Sequence, residues 1–330
     1  MAARAAVSLG TVSKFLNTPE RVAPATQSRI VDAIDALGYT RNEAARQLKS
    51  GRSRVLGFVA LELNNPFFGE VAEAMERRAT EEDLFLSIVS AGGDPQRESE
   101  YIRMLVQQRV YGVILASGIT PAEDLELLHS TGIPTVLMDA YPANGRFSSC
   151  SIHDFTGACQ AVEHLIEQGC RRIAFIGGET RTYQIAERLR GATATIGAAS
   201  GVSLEVVPTA DRSVQSGLTV GREIAARAPA DRPDGIFAAN DSLAIGVIEA
   251  FARASDIRIP QDIAVVGYDD VDFVAASAVP LSSVRRPRET FGRRAVDLIR
   301  RQTDAGATAV IERVLIEPKL IVRESSTRST

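Results

Sequence analysis

The sequence predicts an α/β protein behind a small all-α head. From Val55 onward, short apolar runs without alternation recur between amphipathic stretches, which suits strands buried on both faces of parallel sheets. The segment from Met1 to Gly38 instead carries helical periodicity. At 330 residues the chain is long enough for two or three folded units, each with its own core.

In the head, Ser8 precedes a run with Leu9, Val12, Phe15 and Leu16 on one face. Its hydroxyl suits an N-cap, because it can accept from a free first-turn amide. The run stops at Asn17-Thr18-Pro19. A second run, Gln27 to Leu37, places Ile30, Val31, Ile34 and Leu37 at buried helical spacing and ends at Gly38. Ala2 to Val7 supplies a short helix before a turn at Ala6-Val7-Ser8. Two such helices form a helix-turn-helix, whose second helix enters the DNA major groove. Leu9, Gly10, Thr11, Ser13 and Lys14 then lie outward or at its leading end. Periodicity alone fits a small helical bundle without a DNA role equally well.

In the body, the strand-like runs are Val55–Leu61, Leu84–Val89, Gly112–Leu115, Thr135–Met138, Ile173–Ile176, Ile236–Ala238 and Ile263–Val266. Amphipathic stretches at Val71–Thr80, Glu98–Gln108, Cys159–Gln168 and Leu243–Ala254 separate them. The alternation is that of a doubly wound parallel sheet. Ligands in such folds sit outside the carboxyl ends of the strands.

Charge is divided unevenly. Up to Arg54 nine Lys/Arg face four acids, a net of +5, whereas the rest carries 28 basic and 37 acidic residues, a net of −9. A basic head on an acidic body suits binding of a polyanion by the head alone. Neither a secretory leader nor a membrane span is expected, and three cysteines predict no disulfide framework, so a cytoplasmic setting is expected. Cys150, His153, Cys159, His164 and Cys170 lie close in sequence. They lack a Cys-x-x-Cys pair, and Cys159 and His164 fall on different helix faces, so no metal site is expected. Phosphate-loop, dinucleotide-binding, zinc-protease and nucleophile-elbow motifs are absent, and Ser282 and Ser283 are placed in a linker. Binding rather than catalysis, without a cofactor, is the expectation.

The run from Ala5 to Asn17 (Ala-Ala-Val-Ser-Leu-Gly-Thr-Val-Ser-Lys-Phe-Leu-Asn) resembles the headpiece of the lac repressor family of bacterial transcription regulators. Val22, Thr26, Arg29-Ile30, Ala33-Ile34, Leu37-Gly38-Tyr39, Asn42, Ala44-Ala45-Arg46 and Leu48 continue the resemblance, which extends to the C-terminus. It implies DNA contacts by Ser8, Leu9, Gly10, Thr11, Ser13, Lys14 and Asn17. It also implies a hinge helix at Asn42–Ser50, with Asn42 and Arg46 on backbone or groove and Leu48 as a minor-groove wedge that kinks the operator. Two departures stand out. Leu9 and Gly10 occupy positions that usually read bases; Leu9 can touch a thymine methyl, and Gly10 offers no side chain. Met1 falls where the family carries Val, which predicts about five further residues encoded upstream.

For the body, the resemblance implies two sub-domains hinged around a cleft, like a periplasmic sugar-binding protein. The expected division is a head at 1–40, a hinge and linker at 41–54, a first sub-domain at 55–152 and 285–308, and a second at 153–281 and 309–325. Cleft candidates lie just after strands. Asn64-Asn65-Pro66-Phe67-Phe68 offers Phe67 or Phe68 for stacking, with core packing an equal rival for Phe68. Asp139, Asn240-Asp241 and Asp269 of Gly267-Tyr268-Asp269-Asp270 offer acceptors, and Arg188 of Arg188-Leu189-Arg190-Gly191 offers a fork. His153 falls where relatives often carry Asp. Arg212 stands where some relatives place an aromatic; paired with Arg188 it favours an anionic effector, and a plain loop role fits as well. The resulting expectation is a dimeric, ligand-responsive repressor binding near-palindromic double-stranded operator DNA. Its effector is a sugar, sugar acid or phosphosugar. The rivals are a transporter's solute-binding protein, and an effector sensor without DNA binding.

Overall fold

A computed structural model describes residues 1–39, 53–116, 118, 120–140, 145–177, 182–254 and 256–328. The chain divides into two compact units, a head and a body, with the boundary between residues 52 and 53.

In the head, helix α1 spans Leu9–Asn17 and α2 spans Pro24–Leu37. Ser8 Oγ accepts from the Thr11 amide at 3.0 Å, which satisfies one free donor of the first turn. Gln27 donates to the Pro19 and Val22 carbonyls at 2.9 and 2.8 Å and so pins the connection between the helices. Gly38 ends α2 in the left-handed region at φ +54°, where Cβ would be penalised. The predicted helix before Ser8 is a single turn. Ala5 N–H reaches the Met1 carbonyl at 2.9 Å, and Ala6 and Val7 close the turn on Ala3 and Ala2. Ala6 takes φ +50°, a conformation that suits glycine. The head's core is Ala5, Ile30 and Ala33 with Met1, Val7, Phe15 and Ile34 packed around them. Two sequence expectations are corrected here. Val31 and Leu37 are 43% and 48% exposed, because the buried stripe of α2 runs through Ile30 and Ala33 instead. Leu9 lies off the buried face of α1, whose buried residue is Val12.

The body holds two six-stranded sheets. The first contains β1 Val55–Ala60, β2 Phe85–Ser90, β3 Gly112–Ala116, β4 Thr135–Met138, β5 Ser148–Ile152 and β11 Arg313–Ile316, in the order β11-β5-β4-β3-β1-β2, all parallel. The second contains β6 Arg172–Ile176, β7 Ser203–Val207, β8 Gly235–Ala238, β9 Ala264–Asp269, β10 Ser282–Arg285 and β12 Lys319–Ile321, in the order β12-β10-β9-β8-β6-β7. Only β12 runs antiparallel to its neighbour. The order of strands reverses at β1/β3 in one sheet and at β6/β8 in the other, so each has an equivalent switch point. Helices α3 Pro66–Glu81, α4 Pro95–Gln107, α5 Ala122–Ser130 and α10 Arg288–Ala305 belong to the first half. Helices α6 Asp154–Glu167, α7 Tyr183–Ala198, α8 Val214–Ala225 and α9 Asp241–Arg253 belong to the second.

The chain crosses between halves at His153, at Arg286-Pro287 and at Glu317-Pro318. The expected boundaries shift accordingly. Residues 313–316, placed with the second half from the sequence, form β11 in the first sheet. Ser282 and Ser283, expected in a linker, lie in β10 and are fully buried. Their hydroxyls make the burial tolerable: Ser283 Oγ donates to Asp241 at 2.6 Å, and Ser282 Oγ donates to the Arg323 carbonyl at 3.0 Å. Close helix packing rests on small residues. A Cβ at Gly246 of α9 would lie 2.1 Å from the Val214 carbonyl oxygen at the start of α8.

Two stability measurements follow. Ala6→Gly relieves a left-handed alanine and raises head stability by about 1 kcal/mol in urea unfolding; an unchanged midpoint contradicts this geometry. Gly246→Ala forces α8 and α9 apart and lowers body stability by roughly 1–3 kcal/mol.

Candidate functional site

The head presents the leading end of α1. Ser8, Leu9, Gly10, Lys14 and Asn17 are exposed, and Thr11 and Ser13 are half-buried. Leu9 is 80% exposed, the most exposed large apolar side chain among the described residues. Such an apolar tip has no packing role within the head. Thr11 and Ser8 hydroxyls lie 2.9 Å apart, and Asn17 Nδ2 donates to the Ser13 carbonyl at 2.7 Å, so both ends of α1 are held in shape. Asn42, Arg46 and Leu48, the expected hinge-helix contacts, lie outside the described residues.

The body's candidate site lies at the carboxyl ends of the strands, where the two sheets approach. Arg188 of α7 is buried. Its Nε donates to Asp154 at 2.9 Å, its Nη1 donates to the Ala239 carbonyl at 2.5 Å, and its guanidinium stacks on Tyr268, 3.7 Å from the ring centre. Arg286, on the second crossing, is 2% exposed. Its Nη2 pairs with Asp139 after β4, and its Nη1 approaches Asp269 at the end of β9 at 3.4 Å. Its guanidinium lies 3.8 Å from the ring centre of Phe67. Asn65, which caps α3, donates to the other Asp269 oxygen at 3.1 Å. The two halves thus meet through Asp269. Asp139, Asp269 and Asp270 all take positive φ (49°, 109° and 53°), strain that persists only where surrounding bonds over-determine the backbone.

Within and beside this cluster, four buried polar atoms find no hydrogen-bond partner among the described residues: Thr182 Oγ1, Gln184 Oε1, Arg188 Nη2 and Arg286 Nε; Tyr268 Oη is hydrogen-bonded to Asp154. Such groups are costly to bury unmatched, so a concentration of them marks a place built for something else to bind. Burial is also the first cause that raises the Asp139 carboxyl above its ordinary value, with Arg286 opposing it. Glu62, after β1, is raised for the same reason and is opposed by Arg212, 3.5 Å away across the cleft.

The sequence candidates divide on this map. Arg188, Asp139 and Asp269 lie in the cluster. Phe67 also lies there, but Arg286 covers one ring face and Phe68 and Phe291 pack nearby. Phe68 is core. Asn240 caps α9 and donates to the Arg212 carbonyl at 3.0 Å. Asp241 is turned away from the unpartnered atoms: its oxygens accept from Val271 N–H at 2.9 Å and Ser283 Oγ at 2.6 Å. His153 sits on the first crossing, partly exposed, with Nδ1 3.0 Å from Glu317 of the third crossing. Arg212 faces Glu62, so the expected pair of free guanidiniums does not form. The sequence reading assigned no role to Arg286, Asp154, Tyr268, Gln184, Thr182 or Glu62. Asp154 opens a helix at a crossing, and Arg286 is a cation in a chain crossing; those were the available signals.

Two other features stand apart. A cavity of about 460 Å³ beside the second crossing shares only Arg286 with the buried cluster. Its arginines are paired: Arg285 and Arg323 with Asp270 at 2.6 and 2.7 Å, and Arg288 with Glu70 at 2.9 Å. Among the described residues no His/Cys/Asp/Glu group is arranged to hold a metal. Burial pushes the Cys150 thiol up to about 12 and the Cys170 thiol up to about 11, which keeps both protonated and inert. No described helix is long and apolar enough to cross a membrane.

Asp241 generates a pH prediction. Burial, and then Asp269, holds its carboxyl well above the usual carboxylate range. The folded state therefore keeps a proton that the unfolded chain releases above about pH 4, and this contribution to stability falls as pH rises. Asp241→Asn keeps an acceptor for Val271 and a partner for Ser283. Its stability relative to the parent increases from pH 4 to pH 7 in thermal unfolding. A difference that is constant, or that widens toward acid, contradicts the assignment.

Comparison with known proteins adds to this geometry. Residues 1–42 match the model of bacterial regulatory proteins of the lacI family, and residues 162–326 match a periplasmic binding protein-like domain. The ribose operon repressor of Escherichia coli (strain K12) is 32% identical over 329 residues, 98% of this chain and 97% of the relative. The HTH-type transcriptional repressor PurR of Aliivibrio fischeri (strain ATCC 700601 / ES114) is 32% identical over 297 residues, covering 89% of this chain and 88% of the relative. Among solved structures, a complex of the transcriptional regulator CelR with cellobiose superposes with a TM-score of 0.72 at 31% identity, covering 98% of both chains. A helix-turn-helix head, twin switch-point sheets and full-length similarity together make this chain a member of the lacI family of bacterial regulatory proteins.

Proposed function

We propose that this chain is a ligand-responsive transcriptional repressor that binds a near-palindromic operator as a homodimer and a sugar-like effector in the body cleft. The observation that carries this reading is the group of buried polar atoms at the strand ends without a partner among the described residues, in a chain whose head offers an exposed, capped helix end. The repressor names of the two relatives support the direction of regulation. Two head units on one duplex fit a two-fold symmetric site, with α1 of each in a major groove. Leu9 contributes methyl contact rather than a hydrogen bond, and Lys14 contributes charge to a guanine or phosphate. Asn42, Arg46 and Leu48 act as hinge contacts. The cleft binds without transforming its ligand, and the protein works in the cytoplasm with its DNA.

Effector shifts the population of two body arrangements that hold the paired heads differently. The resulting coupling is a free energy shared by both sites. Arg188, Asp139, Asp269 and their partners supply the effector contacts, whereas Asn240 and Asp241 hold the surrounding loops.

Selection of bound duplexes from random DNA by the purified protein tests the reading directly. Enrichment of a two-fold symmetric site is expected. No enrichment by the folded protein overturns the operator reading and leaves a solute-binding protein. On the selected site, Leu9→Ala costs about 1 kcal/mol, roughly fivefold, and relaxes preference at a thymine-bearing position. A uniform loss on all sequences contradicts base contact by Leu9.

A further inference from the structure

The strand orders give the cleft a hinged side and an opening side. The crossings join β5 and β11 of the first sheet to the second half, and β10 and β12 of the second sheet to the first, all at one side of the body. At the other side the first sheet ends in β1 and β2, and the second ends in β6 and β7. A rotation about the crossings separates the halves most at this far side. Glu62 follows β1 and Arg212 follows β7, and the two side chains pair there at 3.5 Å.

Other contacts between the halves lie nearer the crossings. Glu70 of α3 accepts from the Asp272 amide at 3.4 Å and pairs with Arg288, just past the second crossing. Asn65 meets Asp269, which ends β9, an interior strand. The displacement of a contact grows with its distance from the hinge, so opening strains the Glu62–Arg212 pair first. Both partners are held in place for it. Asp211 Oδ1 accepts from the Ser213 amide at 3.0 Å and from the Ser213 and Ser216 hydroxyls, each at 2.6 Å, and Asn240 donates to the Arg212 carbonyl. Glu62 is anchored by the buried Ala60 and Leu61 before it.

The Arg212 and Glu62 side chains are 20% and 18% exposed, so the pair is neither screened like a surface pair nor sealed like a core one. Burial raises the Glu62 carboxyl, Asp269 and Asp211 raise it further, and Arg212 opposes the rise. Closing the mouth therefore desolvates a carboxylate near two others, and the guanidinium offsets that cost. A pair so balanced biases closure and can still be released.

We propose that Glu62 and Arg212 form a latch at the mouth of the cleft, which by itself biases the body toward a closed arrangement. Any ligand must enter through the opened latch. The latch is independent of the effector reading above; where that reading holds, effector acts on a body whose closed population this pair has already set.

The test is double electron–electron resonance on the full chain, with neither ligand nor DNA. Spin labels go on Gln96→Cys and Gln215→Cys, exposed positions in the first turns of α4 and α8, which follow the edge strands β2 and β7. Cys159 is replaced by serine, Cys150 and Cys170 are buried, and labelled protein is diluted with unlabelled. The short label distance predominates in the parent at low salt. A longer-distance population grows as KCl rises to about 1 M, where charges are screened within roughly 3 Å. Glu62→Gln raises that population roughly threefold or more. Arg212→Gln does the same, and the double variant raises it no further than either single one, because all three lose one interaction. Thermal melting checks that each variant is folded; if Arg212→Gln is not, the parent's salt response and Glu62→Gln decide. A parent distribution indifferent to salt overturns the latch, as does Glu62→Gln matching the parent or additive opening in the double variant. These readouts fail or succeed separately from the proposed function, since they involve neither effector nor operator.

Discussion

A buried guanidinium at a chain crossing is the constraint around which the body is arranged. Arg286 is excluded from solvent and lies between one carboxylate from each sheet, Asp139 and Asp269. Burying ions costs several kcal/mol each before any pairing is counted, and the attraction offsets this only in good geometry with other bonds satisfied. Several of those bonds are present, although Arg286 Nε has no partner among the described residues. Ile152 N–H donates to Asp139 at 3.2 Å, Asn65 donates to Asp269, and Phe67 lies beneath the guanidinium plane. Loss of any member leaves an uncompensated charge, so the strand ends of both sheets are fixed by one electrostatic network. The strained backbones of Asp139 and Asp269 follow from the same demand.

The charges of this network are matched to one another. Among the described residues, each of Arg188, Arg286 and Arg212 faces a carboxylate, and what remains open is a set of individual polar atoms. A matched interior gives orientation and specificity at little electrostatic risk, whereas a catalytic interior keeps a titratable group unmatched and poised. The groups with raised carboxyls, Asp139, Asp241 and Glu62, are raised mainly by burial and face fixed partners.

The fold was legible wherever burial was achieved with apolar residues. Thr135–Met138 is a strand with its predicted bounds, and six further apolar runs became strands within a few residues of expectation. Two of the strands that went unread, β5 and β10, are buried largely through serine. Ser148, Ser149, Ser151, Ser282 and Ser283 look like linker residues because burial of a hydroxyl depends on a partner distant in sequence. Arg286 was hidden for the same reason: its two carboxylates are 147 and 17 positions away. Motif resemblance located Arg188 and Asp269, but it did not tell a cleft-facing carboxylate from one that clamps a loop. Asp241 and Asp269 are both strand-end aspartates, and only the hydrogen bonds to Val271 and Ser283 set Asp241 apart. The pairing of Arg212 was not legible either, because Glu62, its counter-ion, is 150 residues earlier in a different half.

The central claim is that one chain couples a sugar-like ligand to DNA. Coupling between two sites is reciprocal, so it is measurable from either side. The most direct measurement is calorimetry of the effector with the protein alone and with the protein saturated by its selected operator. The account predicts two different affinities, whose ratio equals the ratio of operator affinities measured with and without effector. Equal effector affinities in the two states would contradict it, even if both ligands bind tightly.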